Sequence, residues 1–484
     1  MSYHWERLSE AKRAVFSARK VELLEQTNAF APVAAGERVY YISSRNGSDE
    51  NAGTSPAAAW KTCQPLKDNL TAGDTVLFEC GSAFRESVPT VNGVTYASYG
   101  EGEKPRFYGS IDAAHEEDWE PIGTNLYRYR GEIDKYNDIG NLVFNDGEAW
   151  GIKIQKRTDA EAALGLCKVS NGKDYYEQIV SYPFRSGADL SGQYDLSYFH
   201  GDDNRVYLVC RKGNPGKVFR KIELSQSVKI FQASNAEDIT VCNLHFSNIG
   251  CFAIRTAGCR NLTVRNCRFE FIGGAIQFGF QAPWRNYLTR YGNAIENWGA
   301  CDGMTVENCS FRQIYDAAIT TQSNDKTADM KRLSYCNNVF EQCEYGIELW
   351  TGSWDCRFDT VSVKGNICTD TGEGLCSQRP DKGPESFFNS KGGQRMRDCA
   401  VEDNLICGAV GSLMRCNQIH TAAYERGYQF DRNIYVNKEG NPFGLLSEDY
   451  PAHSGNLKSF PYTKETVETI CSAGFEEHGE FYYL

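Results

Sequence analysis

Three carboxylic acids stand in or just before a short phrase that the chain repeats. The phrase is Ala-Ile-Glu at 294–296, Ala-Ile-Thr at 318–320 and Gly-Ile-Glu at 346–348, and the acids are Glu296, Asp316 and Glu348. Ala253-Ile254-Arg255 and Ala275-Ile276-Gln277 extend the series. Side chains alternate faces along a strand, so an inward Ile turns the next residue outward. Arg255, Gln277, Glu296, Thr320 and Glu348 are therefore expected in one outward file, with Gln277 and Glu296 sharing a rung or occupying two across loop 279–290. With adjacent strands about 4.8 Å apart, Glu296 and Glu348 would lie roughly 9–10 Å from each other across Thr320. Asp316, three residues before its Ile, would lean in from the turn. One carboxyl that protonates a leaving oxygen, and a second that attacks or activates water, are what cleavage of a glycosidic bond requires. Separations near ~5 Å favour retention and about 6.5–9.5 Å inversion; the expected spacing leaves the outcome, and the identity of the pair, open. Clustered acids repel, which raises at least one pKa toward the range of a general acid.

Loops at 279–290, 322–331 and 377–396 interrupt the repeat after the same strand, and insertions at equivalent positions stack as the wall of a groove. These loops and the strand ends carry Trp284, Tyr287, Tyr291, Trp298, Trp350 and Trp354, with Arg285 and Arg379. Sugars bind on aromatic faces with a few charged partners. With Arg255, Gln277 and Thr320, these residues are the candidate contacts to an oligosaccharide. Neither a CxxC pair nor Cys/His zinc spacing occurs, so no metal and no cofactor is expected. His245, beside a strand, is expected to be structural.

The file needs a scaffold of stacked strands, and the sequence supplies one. Asn266-Cys-Arg-Phe and Asn308-Cys-Ser-Phe match, and Asn338, Asn366, Asn404 and Asn433 recur, mostly at intervals in the high twenties. That period is too long and too β-branched for a leucine-rich repeat, and it lacks paired helices. One Asn per turn lets each side-chain amide bond to the next along an axis. The expected fold is all-β, a parallel β-helix. Residues 1–35 read as a helical cap, 36–130 as the first coils, 131–230 as an inserted β subdomain or lid, 231–440 as the main coil with its groove, and 441–484 as a C-terminal cap. Within the insert, Asp202-Asp203-Asn204 between aromatic-rich runs marks a hairpin.

Residues 39–110, with Gly-Thr-Ser-Pro, Trp-Lys-Thr and Gly-Asp-Thr-Val-Leu-Phe, resemble the opening of bacterial right-handed parallel β-helix proteins, many of them carbohydrate-active enzymes. Asn-Ala-Ile-Glu-Asn-Trp, Ile-Tyr-Asp-Ala-Ala-Ile-Thr and Glu-Tyr-Gly-Ile-Glu-Leu-Trp are similar to phrases in those grouped with glycoside hydrolases. The resemblance implies right-handed winding and a catalytic pair of acids from neighbouring coils. It leaves all three acids as candidates. The expected activity is a glycosidase, exo-acting because several loops and an insert wall the pocket. A polysaccharide lyase or uronate epimerase is the alternative chemistry, with Arg255, Arg285 and Tyr315 near the sugar and the acids holding Ca²⁺. A non-catalytic carbohydrate-binding solenoid is the alternative without chemistry.

A net charge of −12 argues against a nucleic-acid partner. The chain contains no apolar run of membrane-spanning length. Its charged first thirty residues lack the apolar segment of an export signal, and its 19 cysteines are an odd number. The expectation is therefore a cytoplasmic protein with reduced, buried thiols; whether it forms a homo-oligomer is left open.

Overall fold

The computed structural model describes residues 4–154, 194–201, 203–278, 289–325, 327–353, 355–379, 385–392, 395–409, 411–416, 427–446, 458–472, 476 and 478–484. The described chain is mostly β, and its two longest sheets, of 17 and 14 strands, are largely parallel. From residue 252 the chain lays down strand segments on three faces in turn. The acid-bearing face takes the first half of Phe252–Arg265 and of Ile295–Glu307, then Ala317–Ser323, Tyr345–Thr351, Ser386–Gly392 and Met414–Cys416, all parallel. A middle face takes the second halves of the first two strands, then Asp329–Cys336, Arg357–Lys364, Arg395–Glu402 and Tyr428–Asp431. The two long strands bend where Gly258 and Gly299 adopt φ of +78° and +111°, a region costly for any residue with a Cβ. The back face takes Arg268–Ile272, Ser310–Ile314, Val339–Glu341, Ile367–Thr371, Leu405–Ala409 and Ile434–Asn437.

Like residues stack because each strand is in register with the next. Ile254, Ile295, Ile319 and Ile347 are buried on successive strands, and Phe388 and Met414 continue the column. Opposite them Phe107, Phe246, Phe269, Phe311 and Phe340 stack with centroids 4.8–5.8 Å apart. Ring pairs of this kind add about 1 kcal/mol each beyond the area they bury.

The asparagine column differs from the expected one by a residue. Asn338, Asn366, Asn404 and Asn433 form it: each is buried, and each backbone N–H and side-chain amide donates to the Oδ1 of the next. Asn266 and Asn308 instead occupy the preceding corner, with φ of +50° and +51°, equivalent to Asn337, Gly365, Asp403 and Arg432. The column position in those two coils belongs to Cys267 and Cys309; the Cys309 N–H donates to Asn338 Oδ1 at 2.9 Å. Both roles favour Asn, one for its amide and one for its tolerance of left-handed φ, so spacing alone aligned two different positions. At the far end Glu476 replaces the next Asn. It accepts the Asn433 N–H at 3.1 Å, the Asn433 amide at 3.0 Å and the Tyr435 hydroxyl at 2.9 Å.

The N-terminal helix Glu10–Asn28 lies along the coil rather than across its end. Phe16 and Leu23 cover Val339, Ile367, Leu405 and Val436, the outward residues of the back face. Its contacts run from Lys12 on Glu480, through Arg19 on the Asp403 carbonyl and Lys20 on Glu341, to the Gln26 carbonyl, which accepts from the Asn266 amide. The strand before it, His4–Arg7, pairs parallel with Glu480–Tyr483. An amphipathic helix needs one apolar surface, and the side of the coil supplies it as well as an end would.

A separate five-stranded sheet contains Ile152–Lys153, Ser197–His200, Val206–Val209, Leu126–Tyr129 and Trp119–Gly123, in that order. The expected hairpin is present as the antiparallel pair Ser197–His200 and Val206–Val209. The sheet also uses two strands that precede residue 131. Its edge is fastened by a buried ion pair of Lys153 with Asp138, beside His200.

Candidate active site

The register assembles the outward file directly. Arg255 pairs with Glu296, Glu296 with Thr320, Thr320 with Glu348, Glu348 with Asn389, and Asn389 with Arg415. Glu296 and Glu348 are thus two strands apart, about 10 Å along the sheet. Two residues on, Ala257, Trp298, Gln322 and Trp350 form a second file in register. Trp298 and Trp350 approach across it, with centroids 6.2 Å apart and planes at 35°. Where the long strands bend, a cleft of about 370 Å³ opens among Asn235, Glu237, Arg260, Ala300, Asp302 and Lys331; neither the acids nor the tryptophans line it.

The acids are not solvated surface groups. Glu296 and Glu348 are 5% and 4% exposed, a burial that carboxylates accept only with partners. Glu296 receives Arg255 Nε at 2.9 Å on one oxygen and the Asn293 amide at 2.8 Å on the other. The Asn293 carbonyl oxygen accepts the Ala317 N–H at 2.8 Å, so one side chain ties Glu296 to the residue after Asp316. Glu348 receives the Thr320 hydroxyl at 3.1 Å and the Asn389 amide at 3.3 Å. Asp316 is paired with Arg379, whose guanidinium lies 5.8 Å from the centre of the Tyr345 ring. Burial raises the Glu296 carboxyl above the usual range; Arg255 and Asn293 pull it down, and the charge of Asp316 pushes it up again. Glu296 therefore senses Asp316 as a near neighbour. An acid whose protonated form is favoured by burial, beside an ion-paired carboxylate, is an arrangement able to donate a proton and to support attack from one surface.

The expected contacts divide. Arg255, Trp298, Trp350 and Arg379 gather around the acids as described. Tyr291 packs on Phe252 at 5.3 Å, close enough for Glu296 to bear on its hydroxyl. Thr320 is wholly buried and serves Glu348 rather than a ligand. Gln277 is not in the file: Ala275–Ile276 pairs antiparallel with Arg290–Tyr291, and the Gln277 N–H donates to the Thr289 carbonyl. The same three-letter phrase here forms a hairpin, so Arg255 abuts Glu296 without an intervening strand. Trp284, Arg285 and Trp354 lie outside the described residues. Asn293, Gln322, Asn389 and Arg415 were not anticipated; Phe388 and Met414 replace the Ile that would have marked the last two.

His245 is buried and neutral, its pKa lowered to about 4 by burial; Nδ1 accepts from Arg106 and Nε2 faces Glu270 at 3.0 Å. Among the described residues no three His, Cys, Asp or Glu side chains gather as a metal-holding group. The described cysteines form no disulfide, and most are buried. No described helix is long and apolar enough to cross a membrane.

No family model matches the chain. An alignment of 203 positions that covers 37% of this chain is 27% identical to a lacto-N-biosidase of Bifidobacterium longum subsp. longum; the match spans 13% of that enzyme's length. Among solved structures it is similar to XylC in complex with xylose, with 13% identity, a TM-score of 0.47, and coverage of 88% of this chain and 73% of that one. It is also similar to a GH136 lacto-N-biosidase from Eubacterium ramulus, with 12% identity, a TM-score of 0.43, and coverage of 98% and 71%.

Proposed function

We propose that the protein is a glycoside hydrolase acting on oligosaccharides, built on a right-handed parallel β-helix. The observation that carries this reading is the gathering of Glu296, Asp316 and Glu348 on one face beside Trp298 and Trp350, two of the acids buried. Glu296 is the general acid, because burial and Asp316 favour its protonated form. Asp316, charge-paired with Arg379, is the second carboxylate, attacking the anomeric carbon or drawing a proton from water. Glu348, held by Thr320 and Asn389, receives sugar hydroxyls. The tryptophans, two strands apart in one file, stack on pyranose faces. The local likeness to a lacto-N-biosidase supports a glycan substrate. Exo-action and a cytoplasmic location remain parts of this proposal, the first read from product lengths and the second from cell fractionation.

The test is a screen of the purified protein on nitrophenyl glycosides and oligosaccharides, with and without chelator, beside E296Q, D316N and E348Q. Chelator-insensitive sugar release is expected, reduced about a thousandfold in E296Q and D316N and less in E348Q. A product absorbing in the ultraviolet and lost with chelator would replace hydrolysis with elimination. Full turnover in E296Q or D316N would sink the assigned pair.

A further inference from the structure

We propose that the inserted sheet is part of the catalytic apparatus: through Gln378 it holds Arg379 on Asp316 and so sets the charge state of that carboxylate. The inference rests on the assignment of Asp316 above. Arg379 follows the short helix Gly374–Gln378, and its N–H donates to the Cys376 carbonyl at 2.9 Å. That turn is fastened at both ends. From the coil, Gln313 Oε1 accepts the Leu375 N–H at 2.7 Å. From the inserted sheet, the Lys153 N–H donates to Gln378 Oε1 and the Gln378 amide donates to the Gly151 carbonyl, each at 2.9 Å.

Gln378 is 3% exposed and thus spends both ends of its amide on the edge strand Ile152–Lys153. That strand is itself anchored. Its Lys153 is locked on Asp138, and Asp138 Oδ2 also accepts the Ile276 N–H at 2.7 Å, tying the insert to the hairpin at the groove. A contact made only by carbon would leave the insert a passive wall. A two-ended amide bridge one residue from the arginine transmits position to it.

Among the described residues the charged and titratable groups facing Asp316 are Arg379, Glu296 and Tyr345, with Glu344 and Glu348 also acting on Tyr345. Arg379 is a cation paired with Asp316. If it drifts, Asp316 loses a partner that favours its charged form, and protonation of Asp316 begins at higher pH.

The experiment compares Q378A, R379A and the double variant with wild type by the pH dependence of kcat/KM and by hydrogen exchange over 374–379. The Gln313 anchor and the coil remain in Q378A, so the fold is retained. The acid limb of Q378A is expected to move up by about one pH unit, with faster exchange at 374–379. The double variant should shift no further than R379A alone, because Gln378 acts through Arg379. An unmoved acid limb with unchanged exchange, or additive shifts in the double variant, would overturn the inference. Failure of the functional reading is distinct: E296Q and D316N would then retain turnover, or no glycan would be cleaved. In that case exchange at 374–379 still decides whether Gln378 holds the turn.

Discussion

Glu296 stands between opposed influences, and its arginine gives the means to tip them. Burial and Asp316 favour the neutral acid, whereas Arg255 Nε at 2.9 Å favours the carboxylate. In R255M the charged form loses its stabiliser, so the pKa rises further. A general acid must hold its proton to act, and the alkaline limb of kcat/KM should move up by about one unit. A pH–rate profile checks this; a limb that stays or moves down assigns it to another group. Glu296, Thr320 and Glu348 were legible because a period of two fixes which face follows an inward Ile. Nothing local tells a coil strand from a hairpin strand, which is why Gln277 was misplaced. Nor could the phrase reveal that Thr320 is sealed beneath the site. The partners Asn389 and Arg415 depend on register across intervening loops, which no single stretch of sequence specifies.

Among the elements, the asparagine column is the most exacting. Asn404 accepts from both the backbone and the side chain of Asn366, and its own amide donates to Asn433 Oδ1 and to the Val363 carbonyl. N404A should cost about 1–3 kcal/mol in a denaturant titration, the penalty for buried donors left without acceptors. Glu476, which closes the column, gives a pH signature. Burial pushes its carboxyl up to about 7. The folded state therefore holds a proton that the unfolded chain releases near the ordinary Glu value. Its stabilising contribution is full below about pH 4.5 and is lost as pH rises toward 7. E476Q carries no titrating proton and should flatten that decline, with a gap from wild type of about 3 kcal/mol at pH 8. Equal slopes for the two proteins between pH 5 and 8 would refute the role. The column was legible from Asn338 onward; its closure by a glutamate 43 positions after Asn433 was not, because the coil alone brings the two together.

For the molecule as a whole, the stacked strands were readable from recurrence and the placement of the N-terminal helix was not. Phe16 and Leu23 announce an apolar face, but only the assembled back surface of Val339, Ile367, Leu405 and Val436 says where it goes. F16A and L23A should each cost about 2–4 kcal/mol. The pair together should expose that strip and promote self-association, seen as earlier elution in gel filtration. Unchanged stability and elution would place the helix's contribution elsewhere. Its leading strand, His4–Arg7, is paired with Glu480–Tyr483, and this has a consequence for biosynthesis. On the ribosome the strand and helix emerge before any surface exists to receive them, while coils form in the order in which they are translated. The helix finds its apolar surface once Val436 is made, whereas the strand His4–Arg7 must wait for its partner until residues near 480 are out. A chain stalled between those two points would have the helix docked and the strand His4–Arg7 unpaired and open to proteases. Pairing of this early strand thus reports that the chain has been made as far as Tyr483.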